Sequence, residues 1–88
     1  MDQSLLATIA RFPDRARAIK ELAGHDEEFR SMCADYADAK TALGGWERCP
    51  SPVREERCTE YQGLLRDLGL EIEVALDREA KKGGRHER

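Results

Sequence analysis

The chain has 88 residues and a formal net charge of −3, with 15 basic and 18 acidic side chains. A chain of this length fits one small domain whose core is too small to grow large without help from a partner. Because the opposite charges nearly balance, the molecule projects no strong field toward nucleic acid or anionic lipid.

The first residues and the cysteines both favour a cytoplasmic protein. Residues 1–11 lack the positive start and the long apolar run of a signal peptide, and no stretch is apolar enough to span a membrane. The three cysteines have no metal-binding or redox spacing, and an odd number does not suit a disulfide framework. We therefore expect a cytoplasmic protein that makes no membrane contact.

The beginning of the chain predicts two short helices. Ser4 is a candidate N-cap for an opening helix that runs to Ile9, too brief to be stable by itself in water. A second helix starts near Pro13, because proline suits a first helical turn, and Gly24 is its candidate C-terminal cap. The apolar face of this second helix comprises Ala16, Ile19, Leu22 and Ala23.

Two long helices follow, each with an apolar stripe whose residues are spaced alternately by three and four. Asp26 is a candidate N-cap for the first, which we expect to end at Glu47. Ser51 and Pro52 supply an N-cap and a first position for the second, which we expect to end near Lys81. The stripes are Phe29, Met32, Tyr36, Ala39, Leu43, Trp46 and then Cys58, Tyr61, Leu65, Leu68, Ile72, Ala75.

These stripes predict an all-α fold, an antiparallel hairpin of the two long helices with a short N-terminal helix. In such a pair the numbers of facing residues have a nearly constant sum, here about 101. That sum places Phe29 opposite Ile72 and Tyr36 opposite Leu65, so apolar residues meet.

The chain divides into one domain and a tail. We expect residues 1–82 to form a single helical-hairpin domain and residues 83–88 to form a basic, disordered tail, because Gly83 and Gly84 separate the two. The basic tail raises nucleic-acid binding as the weakest functional alternative, since it lacks the interleaved aromatic residues that stack on bases.

Short motifs occur in a recognisable order along the chain. Phe12-Pro13 is followed by Ile19 to Leu22, then by His25 to Phe29, Tyr36, a helix break, and a last helix with Leu68 to Ile72. This order resembles the YdcH-like family of small bacterial proteins, a domain of unknown function. The resemblance covers roughly residues 10–76. It implies a helical hairpin with a short leading helix.

The chain departs from that family at one point of its last helix. Where the family carries a Lys-Asp-Glu-Ile run, this sequence has glycine and leucine before Glu71 and Ile72. Two charged positions are therefore lost.

A second apolar strip lies on the last helix, opposite the stripe that faces the hairpin. At about 100° per residue, Gly63, Leu70 and Val74 share this face. Such a strip is unexpected on a fully solvated surface. Two interpretations stay open: the strip binds a second copy or a partner helix, or the leading segment with Phe12 and Ile19 covers it.

The large aromatic residues also allow two interpretations. Trp46 and Tyr61 are candidate anchors for a partner, because their rings are large and carry a polar tip. Alternatively, Trp46 plugs the bend end of the hairpin, and Tyr61 fills the middle of the bundle.

The cysteines differ in their expected surroundings. Cys33 and Cys58 lie at or beside the stripes and are expected in the core. Cys49 lies in the bend beside Pro50, and a Cys-Pro pair resembles the short haem-regulatory motif. An alternative function is therefore a thiol- or haem-responsive sensor that uses Cys49.

No constellation for catalysis, cofactor binding or metal binding stands out in the sequence. A zinc site would need His25 to meet a distant cysteine, and paired glutamates such as Glu55 and Glu56 are typical of solvated helix faces. We expect no enzyme activity, cofactor, metal or small-molecule substrate. The sequence instead predicts a protein–protein interaction or assembly module, working as a homodimer or with a partner helix through an apolar helix face.

Overall fold

The computed structural model describes the backbone of residues 3–86 and the side chains of residues 4–82. The described chain is all-helical and contains no strand. Its helices are α1 (Gln3–Arg11), α2 (Ala16–His25), α3 (Glu27–Glu47) and α4 (Arg54–His86), and a 3-10 turn (Pro13–Arg15) precedes α2.

The opening helix α1 is longer than expected and packs against α3. It already includes Gln3, so the prediction that Ser4 is its N-cap is wrong. Its own residues Leu5 and Thr8 are buried. Because an isolated helix of 9 residues is marginal in water, this burial supplies the stability that α1 lacks by itself.

The predicted helical start at Pro13 is confirmed, but its first turn is a 3-10 turn and the α-helix α2 starts at Ala16. The predicted cap at the other end of α2 is wrong. Gly24 does not cap the helix, because the backbone N–H of Asp26 still donates to the carbonyl of Leu22 at 2.9 Å. No described glycine adopts a positive φ, the conformation that a glycine cap would need.

The start of α3 confirms the predicted cap at Asp26. Its Oδ1 accepts a hydrogen bond from the backbone N–H of Phe29 at 3.1 Å. This bond satisfies one of the amide hydrogens that have no partner within the first turn of a helix. Arg30 links α3 to α2, because its Nη1 donates to the carbonyl of Ala23 at 2.6 Å.

Replacing Asp26 with alanine should lower the free energy of unfolding by about 1 kcal/mol, because the amide of Phe29 then loses its acceptor. Urea denaturation followed by circular dichroism measures this change. Asp67→Ala is the control, since Asp67 is exposed within α4 and alanine has the higher helix propensity. Equal losses in the two variants would contradict the capping role.

The bend between α3 and α4 is held by local hydrogen bonds. Ser51 Oγ accepts from the backbone N–H of Val53 at 3.2 Å. Arg54 Nη1 donates to the carbonyl of Glu47 at 3.2 Å, which satisfies an end of α3. The hydrogen bond to Ser51 is the kind expected of the predicted N-cap. The helix α4 nevertheless begins at Arg54 and not at Pro52 as predicted.

The far end of α4 also differs from expectation. The helix continues through Gly83 and Gly84 to His86, past the predicted end near Lys81, so the proposed disordered tail begins with helical backbone. Glycine costs a helix about 1 kcal/mol relative to alanine, but that cost alone does not end it. Residues 87–88 of the predicted tail lie outside the described residues.

The hydrophobic core lies where α2 meets the first half of α3 and the second half of α4. Phe29, Ile19 and Ile72 are each 0% exposed there. Around the bend, Leu43, Trp46 and Cys58 are only half-buried. The buried cluster comprises Leu5, Ile19, Leu22, Ala23, Phe29, Cys33, Tyr36, Ile72 and Leu76.

Candidate docking surfaces

Leu70 and Val74 remain on the surface of α4. Their exposed fractions are 56% and 53%. Phe12 packs against the core cluster, and Ile19 is part of that cluster. The leading segment therefore does not cover Leu70 and Val74. We call Gly63, Leu70 and Val74 the outer strip.

Leu70 and Val74 line a shallow groove with residues from both long helices. Met32 of α3 and Ala75 of α4 add apolar surface, and Glu71 and Arg78 supply opposite charges. The groove has a volume of about 350 Å³. An exposed apolar surface with a charged rim is typical of a protein-binding site.

Gly63 and Trp46 stand apart from this groove. Gly63 lies two turns before Leu70 on α4, and a Cβ atom added to it would meet nothing within 4 Å. The glycine is therefore not required by packing within the described chain. Trp46 is half-buried in the last turn of α3, far along that helix from Met32. Its predicted role as a partner anchor stays a prediction.

A second groove runs between α3 and α4, and sequence reasoning did not identify it. Its volume is about 400 Å³. Leu64 is 45% exposed there, and Tyr61 is half-buried. The lining residues, which we call the α3–α4 groove, are Asp35, Asp38, Ala39, Ala42, Tyr61, Leu64 and Leu68.

A sequence signal for this groove exists in the heptad spacing. Asp35 and Ala42 of α3 lie beside the main stripe, four residues before and three residues after its member Ala39. Such flanking positions line the side of a helix pair. Alanine and aspartate add little to a hydrophobic pattern, so the signal is weak.

The cysteines occupy three different environments. Cys33 is fully buried, as predicted. Cys58 is half-buried, and so is Cys49, whose backbone N–H donates to the carbonyl of Trp46 at 3.1 Å. None of the three forms a disulfide. The sensor function of Cys49 stays a prediction.

His25 faces α4 and not a cysteine. Its Nε2 lies 3.8 Å from Glu79 Oε2, and both side chains are substantially exposed. Among the side chains of residues 4–82, no three histidine, cysteine or acidic groups cluster in a way that could hold a metal ion.

Two charged pairs lie away from both grooves. Arg15 Nη1 lies 2.7 Å from Asp77 Oδ1 and ties the 3-10 turn to α4. Arg57 donates to Glu60 at 3.0 Å, and this hydrogen bond raises the pKa of the Arg57 guanidinium. Exposed pairs of this kind add little to the free energy of unfolding.

Along the described part of the chain, no helix is both long enough and apolar enough to cross a membrane. No family model matches this chain, and no curated protein or solved structure is significantly similar to it.

Proposed function

We propose that this protein is a non-catalytic protein–protein interaction or assembly module whose docking surface includes the outer strip of α4. The observation that carries the proposal is the exposure of Leu70 and Val74, at 56% and 53%, on one face of the helix. Burying such side chains against another protein is favourable, at about 25 cal/mol per Å² of apolar surface.

We further propose that α3 and α4 form an antiparallel hairpin that presents this face. Phe29 and Ile72 belong to one buried cluster, and Tyr36 and Leu65 line one small cavity. Both pairs have residue numbers that add up to about 101, the sum that the sequence pattern predicts for facing residues. A Cβ atom placed on Gly69 would lie 3.9 Å from Cε1 of Tyr36. Both observations favour opposite chain directions.

A second copy of the chain is the proposed partner of the outer strip. The accessible surface is 6359 Å² for a mass of 10.0 kDa, whereas a compact monomer of that mass exposes about 5,200 Å². The radius of gyration is 15.0 Å, against about 12 Å for a compact domain of this length. The surplus of accessible surface over that of a compact monomer exceeds the roughly 800 Å² per partner that a standard interface buries. A homodimeric helix bundle would bury this surface.

Two further parts of the proposal rest on the sequence. We propose membership of the YdcH-like family on the motif order from Phe12-Pro13 to Ile72. We also propose a cytoplasmic location, because three cysteines without metal-binding or redox spacing do not suit a disulfide framework and are typical of a reducing compartment.

The double substitution Leu70→Glu with Val74→Glu should convert the dimer to a monomer, because two buried carboxylates would then face an apolar partner surface. Sedimentation equilibrium over a concentration series measures the mass. We expect the dissociation constant to rise by at least about 100-fold.

The matched control is Leu6→Glu, since Leu6 is 50% exposed on α1 and lies on another helix. This variant should sediment as the wild type does. A wild-type protein that stays monomeric at every concentration, or a double variant that stays dimeric, would contradict the proposed dimer face.

A further inference from the structure

The α3–α4 groove is shallow and open, and most of its lining residues are apolar. Ala39 and Ala42 line its α3 side, while Tyr61, Leu64 and Leu68 line its α4 side. Leu64 is 45% exposed although it is large and apolar. Ala39 is buried, at 4% exposed, so contact with a further helix would fall on the half-buried Ala42 and on Leu64. A small residue such as alanine permits another helix to approach closely, and leucine offers apolar contact to it.

The rim of the groove is acidic, and its charges lack partners. Asp35 and Asp38 are both exposed, and the ion pairs of residues 4–82 involve neither of them. Both lie in the interior of α3, beyond the first turn that Glu27 and Glu28 occupy. The helix macrodipole therefore does not account for them, and aspartate is a poor residue in a helix interior.

We propose that the α3–α4 groove binds one amphipathic helix of a partner protein, with large apolar residues on one face and lysine or arginine beside it. The lining residues of each helix follow heptad spacing, the arrangement that receives a third helix in a coiled coil. The partner's cations would lie over Asp35 and Asp38.

A second copy of the chain fits this groove less well. The lining residues include two carboxylates and no basic side chain. Groove-to-groove contact between two copies would therefore leave all the carboxylates without a cation. The groove is separate from the outer strip, so this inference goes beyond the proposed dimer and does not depend on it.

Two designed helical peptides test the charge preference of the groove. Both have about 18 residues with leucine at heptad spacing, and one carries lysine where the other carries glutamate. Fluorescence anisotropy at about 0.15 M salt measures their affinity for the full chain. We expect the lysine peptide to bind at least about tenfold more tightly than the glutamate peptide.

Matched variants locate the binding. Asp35→Asn with Asp38→Asn should weaken the lysine peptide by about tenfold. The control, Asp67→Asn with Glu73→Gln, changes the net charge equally at exposed positions outside the groove and should weaken it less than about twofold. Leu64→Asn should weaken binding, whereas Leu6→Asn, on a residue 50% exposed, should not.

Three results would overturn this inference. The first is that neither peptide binds, and the second is that the control pair weakens binding as much as the groove pair, which indicates nonspecific attraction. The third is that Leu64→Asn abolishes self-association in sedimentation equilibrium, which would assign the groove to a second copy. A wild-type protein that is monomeric and binds the lysine peptide would contradict the proposed dimer but would support the proposed role of the groove.

Discussion

Replacing Phe29 with alanine should lower the free energy of unfolding by about 3–5 kcal/mol. The side chain is 0% exposed and belongs to the cluster that joins α1, α2, α3 and α4. Removing the ring loses its transfer free energy and leaves a cavity among the neighbours. The free energy of unfolding of a small domain is only about 5–15 kcal/mol, so the variant should be close to unfolding at room temperature.

Urea denaturation compares this variant with the wild type, and Leu6→Ala is the control. Leu6 is 50% exposed, so its truncation should change the free energy of unfolding by less than about 1 kcal/mol. A loss from Phe29→Ala as small as that of the control would mean that Phe29 is not in the core.

Replacing Thr8 with valine should raise the free energy of unfolding by about 1–2 kcal/mol. Thr8 is 0% exposed, and its Oγ1 has no hydrogen-bond partner among the described residues. A buried hydroxyl that lost its water contacts without replacement is destabilising, and valine has nearly the same shape without the polar atom. The midpoint of thermal unfolding should rise by several degrees, at about 4–8 °C per kcal/mol.

Thr41→Val is the control for this substitution, because Thr41 is exposed in the middle of α3. The two residues have similar helix propensities, so the midpoint should not move measurably. A lower midpoint for Thr8→Val would show that the hydroxyl makes a stabilising hydrogen bond, for example to a buried water.

The sequence predicted the helical segments well where local chemistry decides them. Asp26 caps α3 because an aspartate before an acidic first turn is favourable in nearly any context. Residue type alone places helix boundaries at Gly24, at Pro52 and, because of Gly83, near Lys81, whereas the structure places all three elsewhere. Their positions depend on which backbone hydrogen bonds the neighbouring residues complete, such as that from Asp26 to Leu22.

The contribution of α1 to the core could not be predicted from its own sequence. The sequence of α1 is amphipathic, but its periodicity does not indicate which helix receives its apolar side. Leu5 and Thr8 become buried because α1 packs against α3, which is a tertiary effect.

The two docking surfaces differ in how visible they are in the sequence. Leu70 and Val74 are large and apolar, so helical periodicity identifies their face directly, and the structure leaves both exposed. The α3–α4 groove depends on the pairing of two helices. Ala42 and Asp38 line it only because Leu64 and Leu68 lie across from them.

An isotope-filtered nuclear Overhauser spectrum of a mixture of labelled and unlabelled protein reports only contacts between two copies, so it identifies the residues of the dimer face. We expect such contacts from the methyl groups of Leu70 and Val74. Two results would contradict the assignment of the outer strip as the dimer face. One is contacts between copies that involve only other residues, and the other is no contact between copies at concentrations where sedimentation shows a dimer.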